Sequence, residues 1–174
     1  MTPEFSAAEF SRLIDTRSIG NHPVRLEANE AERAALAKRF AIVAIHRLNA
    51  VVTLEPTKAA ILATGTLTAD IVQSCTVSGE DLSIGVAEAL KLRFIPERNL
   101  SRPDEEIELD AGALDEIEFS GTQFDLGEAI AQSLALAIDP FLEGPGADEF
   151  RRNSGFFGEP AANPFAVLAK LKKD

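Results

Sequence analysis

The chain holds one cysteine and two histidines in 174 residues, so any reaction would have to be built from few reactive groups. Cys75 sits in "QSCTVSGEDL" (residues 73–82), three positions before Ser78. That spacing is a C-x-x-C with the second sulfur replaced. A zinc site takes about four nitrogen or sulfur ligands at close spacing. Cys75, His22 and His46 form no close pair, and no metal ligand set is assigned. A nucleophilic cysteine needs electropositive surroundings, whereas Glu80 and Asp81 follow Cys75 and carboxylates push a thiol pKa up. Cys75 is therefore expected to be a small buried packing residue on a strand. His22 falls in the turn "GNHP" and His46 just ahead of a strand. Either could act as a base, but no G-x-S-x-G motif accompanies them. An enzyme using His46 would require a cleft with a carboxylate in hydrogen-bond reach. "GPG" at 144–146 lacks the lysine and the strand–helix setting of a phosphate loop. No catalytic residue and no cofactor site are assigned.

Charge is abundant and uneven. The net charge is −11. Residues 1–50 hold seven Lys/Arg against six Asp/Glu, while residues 51–140 hold five against seventeen. The middle of the chain should repel a phosphate backbone. The run Asp104, Glu105, Glu106, Glu108 and Asp110 lacks the spacing of a calcium loop. It reads as a solvated acidic loop, with docking of a basic partner as its sharper use. Tyr and Trp are absent, leaving eleven Phe as aromatic material for base stacking. Direct RNA contact is expected only at Arg33, Lys38, Arg39 and Arg47, or at Arg151, Arg152, Lys170, Lys172 and Lys173. No apolar run is long enough to cross a bilayer, the N-terminus has no apolar signal core, and a lone cysteine fits a reducing compartment. A cytoplasmic protein is expected.

The elements that position these residues can be read from periodicity. "EFSRLIDTRSI" and "VRLEA" are expected strands. Asn29 and Glu32 have capping-box spacing, and Leu36, Phe40 and Val43 form one apolar stripe, predicting a helix over 29–43. Alternation then takes over. Leu48, Ala50, Val52 and Leu54 face one way, as do Ile61, Ala63, Leu67, Ala69 and Ile71, and then Leu82, Ile84, Val86, Leu90, Leu92 and Phe94. Such alternation predicts half-buried strands of an antiparallel sheet. Breaks are expected at "EPTK" (55–58), Thr68–Asp70 and "SGED" (78–81), so that neighbours pair as a meander. An edge strand is expected near 114–119. Asp125 with Glu128 predicts a capped helix over 125–138, stopped by Pro140 and largely buried. After Pro140 an irregular tail is expected, ending in a short helix over "NPFAVLAKLKKD". Phe165, Leu168 and Leu171 either cover the domain or form an amphipathic recognition segment. The fold class expected is α+β: a twisted antiparallel sheet of about five to seven strands, curled toward a barrel, packed with two main helices over residues 1–140, with a flexible tail over 141–174.

Taken in order, "VQSCTVSGEDL", "FIPE", the acidic loop, "FDLGEAIAQSLALAIDP" and "NPFAVLAKLKK" resemble the YceD family, the large ribosomal RNA subunit accumulation proteins. The likeness covers roughly residues 10–174. It implies a non-catalytic accessory role in ribosome biogenesis, linked to accumulation of large-subunit ribosomal RNA. With the acidic centre of the chain, the expected partner is a basic ribosomal protein or precursor large-subunit ribosomal RNA. The resemblance also implies zinc in members with a full C-x-x-C; here Ser78 replaces the second cysteine and the tail has none. The competing reading is a general protein-interaction adaptor that uses its tail helix.

Overall fold

The structure, a computed structural model, describes residues 9–97 and 115–154. These fall into two compact units. One comprises residues 9–73, 83–97 and 115–139; the other comprises 74–82 and 140–154.

The first unit is α+β. Strands β1 (Leu13–Asp15), β2 (Val24–Glu27), β3 (Ala44–Pro56), β4 (Ile61–Ser74), β5 (Asp81–Pro96), β6 (Asp115–Phe119) and β7 (Gln123–Asp125) are joined by helices α1 (Glu30–Arg39) and α2 (Leu126–Ala137). The main sheet has the order β2-β3-β4-β5-β6, and β1 pairs with β7 in a separate two-stranded ribbon. β2–β3 and β3–β4 are antiparallel, as the alternation implied. β5–β6 is parallel, so the sheet is mixed, open and not a closed barrel. The connection between these two strands explains this. A parallel pair needs a crossover of about a dozen residues or more, and the chain from Glu97 to residue 114 has that length.

The apolar alternation sorts residues as expected. Leu48, Ala50, Val52, Leu54, Ile61, Ala63, Leu67, Ala69, Ile71, Leu90, Leu92 and Phe94 are buried in one core with Leu36, Leu126, Ile130 and Leu134. Burying each such leucine or isoleucine contributes about 2 kcal/mol. The expected break at Thr68–Asp70 is absent, because β4 runs unbroken through it with Leu67, Ala69 and Ile71 still facing inward. Threonine is a good strand former, and a turn signal fails where the alternation continues across it. Phe94, Phe119 and Phe124 form an aromatic cluster, with ring centroids 4.2 Å apart for Phe94–Phe124 and 5.7 Å for Phe119–Phe124. These rings serve packing.

Both helices begin where capping predicts. Asn29 accepts from the Glu32 amide at 3.0 Å, and the Glu32 carboxylate accepts from the Asn29 amide at 2.8 Å. Asp125 accepts from the Glu128 amide at 3.0 Å. Each cap contributes about 1 kcal/mol. α1 stops at Arg39, four residues before its apolar stripe does. The cause is local: Ala41 takes a left-handed φ of 54°, its N–H donates to Lys38 O, and the Ile42 N–H donates to Ala37 O. This is a Schellman stop with alanine where glycine is usual. Val43 therefore lies beyond the helix and is half exposed. α2 is less buried than its composition suggests, since Leu136 at its C-terminal turn is 82% exposed.

In the second unit, the segment expected to be irregular contains a helix, α3 (Ala147–Asn153). Arg151 pairs with Glu143 and Asp148, and Arg152 donates to Asp148 O at 3.2 Å. Phe165, Leu168, Leu171 and the terminal lysines lie outside the described residues, as do Asp104 to Asp110.

Candidate nucleic-acid interface

The cationic residues singled out from the sequence meet different fates. Arg39 donates to Glu128 at 2.7 and 2.9 Å and to Glu9 at 3.0 Å. Those contacts raise its pKa, first through Glu128. Arg39 is thus a strut between the N-terminal segment, α1 and α2. Arg47 pairs with Asp70 at 2.9 Å across β3–β4 on the solvent face of the sheet. Arg151 and Arg152 are held within their own unit. The Arg33 side chain donates from Nη1 to Ala28 O at 2.6 Å and makes no ion pair among the described residues. Lys38 makes no ion pair among the described residues.

Arg33 and Lys38 come together in one groove. It lies between α1 and the start of β3, with a volume of about 530 Å³. Ala34, Ala37, Ile42 and Val43 supply its apolar lining; Arg33, Lys38, His46 and the single acid Glu30 supply the polar part. Two backbone irregularities shape it. The Schellman stop at Ala41 turns the chain so that Ile42 and Val43 line the groove instead of continuing α1. On β3, Ile45 pairs with Ile71 and Arg47 with Asp70, leaving His46 as the extra residue of a β-bulge. A bulge re-aims a side chain. Here it exposes His46 and Arg47 in succession, between buried Ile45 and Leu48.

In the sequence His46 reads as an ordinary surface or strand-end histidine and Arg47 as a candidate contact residue. The bulge puts His46 in the groove, while Arg47 stays on the solvent face of the sheet paired with Asp70; no one-residue signal in "AIHRLN" announces it. No described carboxylate hydrogen-bonds the His46 ring.

Two other grooves among the described residues hold fewer cations. One of about 230 Å³ between β5 and the end of α2 holds one of each sign, Glu88 and Lys91. Another of about 290 Å³ near the β3–β4 turn holds Lys58 alone. The solvent face of β3 and β4 presents Asn49, Val51, Thr64, Thr66 and Thr68. It carries no aromatic side chain of the kind that stacks bases on a sheet.

Cys75 follows the last residue of β4 and is buried. Its Sγ accepts from the Gly144 amide at 3.2 Å and the Ser78 amide at 3.3 Å. Its pKa is pulled down to about 7, first by the Gly144 N–H and then by Ser78, against burial, which pushes it up. The expected upward push from Glu80 and Asp81 is overruled, since two N–H donors in contact outweigh carboxylates that do not touch the sulfur. The zinc that the sequence resemblance implies for chains with a full C-x-x-C does not fit these residues. Cys75 is the only cysteine, Ser78 stands where a second ligand would be, and no group of three or more His, Cys, Asp or Glu able to hold a metal occurs among the described residues. No helix among them is long and apolar enough to cross a membrane.

No family model, curated protein or solved structure matches this chain.

Proposed function

We propose that the protein is a cytoplasmic, non-catalytic accessory factor of ribosome biogenesis that promotes accumulation of large-subunit ribosomal RNA by contacting precursor RNA through the α1–β3 groove. One observation carries this reading: Arg33 and Lys38, with His46 beside them, line a single groove that holds one acid. The sequence resemblance supplies the biological direction.

The net charge of −11 does not oppose it. At physiological ionic strength charges more than about 8 Å apart are largely screened, so a local cationic groove meets phosphate much as if the distant acids were absent. The charge does predict weak, salt-sensitive binding with little non-specific affinity.

In-cell crosslinking followed by identification of attached RNA and protein tests the proposal. Precursor large-subunit RNA attached at α1 or the start of β3 is the expected result, together with loss of large-subunit RNA when the gene is deleted. Unchanged ribosomal RNA after deletion defeats it, and so does crosslinking to a basic ribosomal protein with no RNA at the groove.

A further inference from the structure

We infer that the α1–β3 groove takes an unpaired ribonucleotide, with phosphate at Arg33 and Lys38 and the base against His46 and Val43, so that the protein prefers single-stranded over duplex RNA. This rests on the RNA reading above and narrows it to one form of the ligand.

Three features point the same way. The groove, at about 530 Å³, is an open recess between α1 and the start of β3. Duplex RNA presents backbone phosphates and sugars along a shallow surface, whereas an unstacked base needs a recess. The groove is also amphipathic in a way phosphate alone would not require. Val43, 50% exposed, and Ile42 are displaced from α1 by the helix stop and add apolar surface beside the two cations. Finally, the bulge at β3 places an exposed ring there. His46 is the only aromatic side chain lining the groove, and histidine is among the side chains on which unpaired bases stack. Neutral or protonated, it offers both a π-face and an N–H donor. Arg33 and Lys38 differ by five positions on α1 and both line the groove, which offers the backbone two separate cations.

The test is binding of the purified full chain to a short single-stranded RNA oligomer, to the same sequence as a duplex, and to a free nucleoside monophosphate, at low and at physiological salt. The single strand should bind about tenfold more tightly than the duplex. His46→Ala should remove that preference by weakening only the single strand, and His46→Phe, which keeps a ring, should retain it. Arg33→Ala and Lys38→Ala should weaken both forms alike, each lowering the single-strand salt slope by about 0.7. Thermal melting of each variant separates these effects from misfolding. Equal affinity for both RNA forms, or indifference to His46→Ala, overturns the inference and leaves the RNA reading standing if cells still yield RNA crosslinks at the groove. Binding of neither form overturns both. Free nucleotide bound more tightly than any RNA keeps the groove's chemistry and removes RNA as its source.

Discussion

Lys38 and Arg39 are neighbours on one helix, yet they belong to two regions with opposite uses of charge. A step of one residue turns a side chain by about 100° around the axis. On one side of that step lies the groove, where Arg33 and Lys38 lack acidic partners among the described residues. On the other lies a junction where every cation is matched. Arg39 joins Glu9 and Glu128. Arg12 grips Glu32 through two bonds of 2.7 and 3.0 Å. Asp125 receives the Ser11 hydroxyl at 2.6 Å and the Arg12 amide at 2.8 Å while capping α2. Counting basic residues along α1 merges the two regions. What separates them is the location of the carboxylates: the Arg39 partners come from 30 positions before it and 89 after it. Matched charge holds elements together, and unmatched charge remains available to a ligand.

The junction should break most easily at Gly127. A Cβ there would collide with the Phe10 carbonyl and come within 2.8 Å of the Arg12 amide, both of them backbone atoms. The N-terminal segment would have to lift from α2, which takes the Leu126 N–H to Arg12 O bond with it. Gly127→Ala should destabilise the protein by about 3 kcal/mol, read as the drop in urea midpoint at constant slope. A loss under about 0.5 kcal/mol, the usual range for an innocuous surface change, would mean the segment is not clamped as described.

Arg39→Met should cost less, about 1 kcal/mol, because the pair is only partly shielded from solvent. Its signature is in pH. Hydrogen bonds from Arg39 and Arg12 hold the carboxyls of Glu128 and Glu32 below the ordinary value of 4.5. A carboxylate with a depressed folded pKa stabilises fully above its unfolded pKa, and that contribution is lost as pH falls through the folded value. The parent protein should therefore weaken as pH drops below 4.5, and Arg39→Met should weaken less over the same window. Parallel acid profiles would place the Arg39 contribution elsewhere.

Most of the sheet and the starts of both helices were legible because period-two burial and side-chain caps are written in consecutive residues. The ribbon β1–β7 was harder. Gln123–Asp125 reads as a helix approach, and its strand character comes from pairing with residues 13–15, more than a hundred positions away. The parallel β5–β6 pair depended on a return path, which no periodicity encodes. The groove was half legible. Arg33 and Lys38 stood out by charge, while His46 depended on a one-residue bulge and Val43 on a left-handed alanine. Both are backbone events for which the residue types present gave no cue.

That alanine offers a stabilising change. Non-glycine residues meet a steric cost in the left-handed region, and Ala41 carries it at a φ of 54°. Ala41→Gly should raise stability by about 0.7 kcal/mol, visible as a higher melting temperature. The turn keeps its two hydrogen bonds, so Ile42 and Val43 should stay in the groove and RNA affinity should hold. A lower melting temperature would mean that the gain in unfolded-chain entropy outweighs the relieved strain.

The smallest effect on stability should come from Lys38→Ala. Its side chain is exposed and has no described ion pair, so the fold should change by less than about 0.5 kcal/mol. Alanine is also at least as good a helix former. Adjacent Arg39→Met should show the reverse pattern, with stability lowered and RNA affinity kept. Measuring melting and RNA binding on these two variants gives a direct crossing test. If Lys38→Ala leaves affinity intact while Arg39→Met reduces it, the ligand sits on the junction side of α1, and matched and unmatched charge have exchanged the roles assigned to them.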